Sequence, residues 1–113
     1  MEKCVYLYVF DTMADWETGY VSAELNSGRF FKKGVKPFRV VTVGTDRAEV
    51  RTMGGVRIIP DLTVEDCRKE MENAAALILP GGDTWLEPAH KPVLSAAKEF
   101  LSQSLTVGAI CGA

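Results

Sequence analysis

Residues 74–79, Ala-Ala-Ala-Leu-Ile-Leu, contain no polar side chain and are cut off by Pro80-Gly81-Gly82. A strand with one face in water alternates apolar and polar residues, so an unbroken apolar run predicts a strand covered on both faces. A sheet sandwiched between helices provides that cover. The rest of the chain has the pieces for it. Val5 to Phe10 is a second short apolar run ending at Asp11, after which Trp16, Tyr20, Val21 and Leu25 recur at helical spacing until Asn26-Ser27-Gly28. Phe38 to Val43, between Pro37 and Gly44, reads as another strand, and Val50 to Ile59 around Gly54-Gly55 as a small hairpin outside the main sheet. Thr63, with Asp66 three positions on, predicts a capped helix running to about Asn73. Pro92 opens a third helix with Val93, Ala97, Phe100 and Leu101 on one face, leading to a last strand, Leu105 to Ile110.

Strands alternating with helices predict an α/β fold: a flavodoxin-like parallel sheet of right-handed βαβ units sandwiched by helices. With the main strands in the order 2-1-3-4, the first, third and fourth lie side by side. Ligands bind such sheets outside the carboxyl ends of the strands. The loops there would carry Asp15-Trp16-Glu17, Pro80-Gly81-Gly82 and Cys111-Gly112.

Composition narrows the partners. The formal charge is -2 and the lysines and arginines are scattered, so neither nucleic acid nor an anionic membrane is an expected partner, and a small molecule is. The apolar run at 4–10 is too short for a membrane span and wrongly flanked for a signal peptide, which predicts a cytoplasmic protein. Cys4, Cys67 and Cys111 show no metal-ligand spacing, and no metal site is expected.

The segment Ala109-Ile110-Cys111-Gly112-Ala113 has the pattern of a nucleophile elbow, a strand turning sharply into a helix with one exposed side chain at the crest. A free cysteine beside an apolar strand is ordinarily a small buried hydrophobe. At an elbow, however, the positive end of the following helix favours the thiolate. Cys111 is therefore the candidate nucleophile, and Cys4 and Cys67 are structural. The N–H of Gly112 and an N–H from the glycine turn at Gly82 would form an oxyanion hole. Glu17, one turn into the first helix, would approach the thiol and hydrogen-bond it in protonated form. Asp15 is a possible second acid. His90, the single histidine, lies in the loop Glu87 to Pro92 and reads as a surface residue, with general base as its alternative. Because the elbow needs a following helix, residues 1–113 are expected to be the N-terminal part of one domain that continues further.

Asp15-Trp16-Glu17, Leu79-Pro80-Gly81-Gly82-Asp83 and Ala109-Ile110-Cys111-Gly112-Ala113, in this order and spacing, resemble the DJ-1/PfpI (ThiJ/PfpI) superfamily. The resemblance implies a class I glutamine amidotransferase-like sandwich, usually homodimeric, without metal or organic cofactor, in which Glu17 contacts Cys111. Such proteins include cysteine peptidases, glyoxalases and deglycase-like enzymes, isonitrile hydratases, chaperones and oxidation sensors. Peptidase-type members place histidine directly after the cysteine, where this chain has Gly112, so a Cys-His peptidase is disfavoured. Glutamine amidotransferases have glycine where Ala109 and Ala113 stand. The expected function is attack by Cys111 on a small carbonyl, amide or nitrile-like carbon. The alternatives are a redox or stress sensor using the same thiol, and a non-catalytic ligand-binding domain.

Overall fold

The apolar runs pair as the centre of one parallel sheet. In the computed structural model, which describes residues 3–110 and 113, strands β1 (Cys4–Tyr8), β2 (Arg39–Gly44) and β6 (Ala74–Leu79) lie in the order β2-β1-β6. The edges are β5 (Leu62–Thr63) beside β2 and β7 (Thr106–Ala109) beside β6, all in parallel register. The four main strands thus take the expected 2-1-3-4 order, with β5 added outside. Strands β3 (Val50–Arg51) and β4 (Arg57–Ile58) form the separate antiparallel hairpin.

Every residue of β1 is buried, as its central position requires. Alternation divides its side chains between two layers. Tyr6 meets Phe100 of helix α3 (Lys91–Ser102) edge to face at 6.4 Å, and Tyr8, two residues on, meets His90. Helix α2 (Val64–Lys69) packs beside α3. Its Thr63 cap is a complete capping box with Asp66, but the helix gives way at Glu70 to a single tight turn, Met71–Asn73. Helix α1 (Asp15–Ser27) packs against β2 and closes at Gly28, whose φ of 62° places it in the left-handed region.

Two helix faces differ from expectation. Trp16 and Tyr20 are 66% and 72% exposed, because the inward stripe of α1 is carried by buried Thr18 and half-buried Val21 and Leu25. In α3, Leu101 is exposed and Ala96 completes the buried face with Val93, Ala97 and Phe100. Among the described residues no helix is long and apolar enough to cross a membrane.

Candidate functional site

The carboxyl ends of β1 and β6 are joined by short bonds. Ala14 N–H donates to the Gly81 carbonyl at 2.9 Å, and Gly81 N–H donates to Glu17 Oε1 at 2.8 Å. The first turn of α1 is thereby stapled to the glycine loop. On the other side of Gly82, Asp83 N–H donates to Thr12 Oγ1 at 3.0 Å, and the Trp85 indole N–H to the Pro80 carbonyl at 2.9 Å. Between these committed amides, Gly82 N–H has no acceptor among the described residues.

Glycine at 82 is a steric requirement. A Cβ there would lie 2.5 Å from the Phe10 ring and 3.1 Å from the Thr12 carbonyl. Thr12 itself holds a φ of 78°, a conformation that costs a β-branched residue about 1–3 kcal/mol. Its neighbours hold it there: Thr12 N–H donates to the Arg51 carbonyl at 3.0 Å, while its hydroxyl receives Asp83. The hairpin therefore belongs to the site. With the loop it bounds a cavity of about 500 Å³ lined by Asp11, Thr12, Arg51, Thr52, Met53 and Asp83. No local signal in residues 50–59 marks this, since the hairpin reaches the site only through long-range bonds.

Strand β7 follows β6 to its end, and Ile110 N–H donates to the Leu79 carbonyl at 3.0 Å. Cys111 and Gly112 come next in the chain and lie outside the described residues, so the elbow itself is not described. Cys4 and Cys67 are buried free thiols, and burial pushes Cys67 up to about 12.

Glu17 and Gly82 are brought to one loop pair; Asp15 and His90 are placed otherwise. Asp15 turns to the hairpin, where the Thr52 hydroxyl donates to Oδ2 and Gly54 N–H to Oδ1 at 2.8 Å. The Thr52 bond, then the Gly54 bond, holds its carboxyl below the ordinary aspartate range. It anchors the hairpin and is not aimed at the glycine loop.

His90 is not a surface residue: it is 3% exposed. Residues Pro88–His90 form a tight turn that drives the ring beneath Trp85, 4.5 Å between centroids, and against Phe10 at 4.9 Å. Nδ1 lies 2.7 Å from the Tyr8 hydroxyl and Nε2 2.9 Å from Thr84 Oγ1. Burial lowers its pKa, keeping the ring neutral at neutral pH. A loop rich in proline and charge reads as surface, and the aromatic box that overrides this joins Trp85 to Tyr8 and Phe10 from the distant first strand segment.

Known proteins resemble this chain in sequence and in fold. The model of the DJ-1/PfpI family matches residues 3–113. The chain is 48% identical over 109 residues, 96% of its length and 51% of the relative's, to a Bacillus subtilis protein named uncharacterized protease YoaZ. It is 30% identical over all 113 residues, and 51% of the relative, to uncharacterized protease YdeA of the same organism. The crystal structure of a thiJ/pfpI family protein from Bacillus anthracis superposes with a TM-score of 0.88 at 46% identity, covering 98% of this chain and 51% of that one. A DJ-1 superfamily protein from Agrobacterium tumefaciens, 22% identical, shares the fold with a TM-score of 0.76 over 96% of this chain and 53% of its own. The chain spans about half the length of the curated relatives it matches.

Proposed function

The chain belongs to the DJ-1/PfpI family, and on that footing we propose that it is a cysteine-dependent enzyme acting on a small carbonyl, amide or nitrile-like carbon. The Cys111 thiolate forms a bond to that carbon, and the π electrons pass to the carbonyl oxygen or the nitrile nitrogen. The N–H groups of Gly82 and Gly112 receive the developing anion, and Glu17 delivers the proton that neutralises it. The observation carrying this reading is the Gly82 N–H, without an acceptor among the described residues, between two amides committed to Glu17 and Thr12. A preorganised donor of this kind contributes about 10²–10³ in kcat. The cavity of about 500 Å³ beside the loop suits a small substrate.

The peptidase named for the relatives is disfavoured here. Gly112 occupies the position after the cysteine, and both ring nitrogens of His90 are engaged by Tyr8 and Thr84. A homodimer in the cytoplasm is part of the same proposal, and light scattering on the full-length protein tests the dimer. The activity is tested by incubating full-length protein and Cys111→Ser with methylglyoxal, small amides and a fluorogenic peptide. Turnover of a small substrate that disappears in Cys111→Ser is expected. No thiol-dependent turnover, with stoichiometric oxidation of Cys111 by peroxide, would replace the enzyme reading with sensing.

A further inference from the structure

Resting on the oxyanion role of Gly82, we infer that His90 is a positioning residue that fixes the glycine loop through Thr84 and Thr12. The contacts form one directed chain of hydrogen bonds. Thr45 Oγ1 donates its single proton to the Ala89 carbonyl at 3.1 Å, so at 3.1 Å from Tyr8 it is the acceptor and the Tyr8 hydroxyl the donor. The Tyr8 oxygen is then free to receive the proton of His90 Nδ1 at 2.7 Å. A neutral imidazole with its proton on Nδ1 presents a lone pair at Nε2, which takes the Thr84 hydroxyl at 2.9 Å in preference to the Asp11 carbonyl at 3.3 Å. Thr84 Oγ1 accepts from Thr12 Oγ1 at 3.4 Å, and Thr12 Oγ1 accepts from Asp83 N–H at 3.0 Å.

The chain therefore runs from the amide beside Gly82, through both ring nitrogens, to the carbonyl beside His90. Linked bonds with one direction reinforce one another. The ring also backs Phe10, which fills the space that keeps position 82 a glycine. His90 thus holds the loop by a polar route and by packing. It acts without touching a substrate.

Two replacements separate these routes. Asparagine ends as far from Cα as Nδ1, and glutamine as far as Nε2, so His90→Asn keeps the Tyr8 link and loses Thr84, while His90→Gln restores a group at the Thr84 end. Amide hydrogen exchange on the full-length protein reads the loop directly. In His90→Asn the Asp83 amide is expected to exchange roughly tenfold faster with β1 and β6 unchanged, and His90→Gln to stay within about threefold of wild type. Thr84→Val, which leaves the imidazole in its aromatic box, is expected to match His90→Asn, and serves as the test if that variant does not fold. With methylglyoxal as substrate, His90→Asn lowers kcat with KM unchanged, and His90→Gln recovers it. Asp83 exchange unchanged in both His90→Asn and Thr84→Val, or rising equally across β1 and β6, overturns the inference. Absence of wild-type turnover would count against the proposed function alone, with exchange still deciding the role of His90.

Discussion

Gly82→Ala tests the steric basis of the site. The new Cβ would stand 2.5 Å from Phe10 Cε2, 2.9 Å from Cζ and 3.1 Å from the Thr12 carbonyl, against an ordinary contact starting at 3.4 Å. Loop and ring must separate by 3.4 − 2.5, about 0.9 Å. Phe10 has little room to withdraw, with Tyr8, Trp85 and His90 at 5.2, 5.1 and 4.9 Å between centroids. The loop must move instead. An oxyanion donor works over a range of only about 0.4 Å, so such a shift removes its contribution, about 10²-fold in kcat, and overpacking costs about 1–3 kcal/mol. The assay pairs urea denaturation with turnover of whichever substrate requires Cys111. Gly55→Ala is the control: its φ of 83° makes alanine costly by about 1 kcal/mol, but nothing lies within 4 Å of the added carbon and kcat should hold. Adding Phe10→Leu to Gly82→Ala should recover part of the stability, since the two positions share the contact. A Gly82→Ala protein with wild-type midpoint and wild-type kcat would refute the steric argument.

Glu17→Gln keeps an oxygen for Gly81 N–H and a neutral donor, so the Cys111 pKa, read from the pH dependence of alkylation, should stay within about one unit of wild type. Glu17→Ala should raise that pKa and cost about 1 kcal/mol by orphaning Gly81 N–H. Because the folded protein lowers the Asp15 pKa, through Thr52 first and Gly54 next, its contribution is full above the unfolded aspartate value and lost as pH falls through the folded one. Thermal melts should show Asp15→Asn less stable near neutrality, with the gap closing below about pH 4. Cys4 and Cys67 should resist thiol reagents until the protein unfolds; labelling of either in the native state would contradict their burial.

Much of this architecture is legible locally. The apolar run of β6 announces a central strand, although Ala75, Ala76 and Ile78 are only half-buried and the expected cover on both faces is incomplete, while Thr63 and Asp66 announce a capping box and Gly28 a helix end. These features depend on neighbours within about four residues, so periodicity and capping reveal them. Parallel topology then brings the loops after β1 and β6 together, and with them Glu17 and the glycine turn. The exposed faces of α1 and α3 were not legible in this way. Helical spacing shows that Trp16 and Tyr20 share a stripe, but not which stripe meets the sheet.

The amino-acid sequence by itself determined the alternation of strands and helices and hence the layered parallel fold, because this follows from short-range pattern and the handedness of βαβ connections. Tertiary structure alone decided that His90 is buried, that Asp15 anchors the hairpin, and that Thr12 is held at positive φ between Arg51 and Asp83. Each of these depends on a partner dozens of residues away. A proton donor chooses its acceptor by distance in space, and no spacing along the chain records that distance.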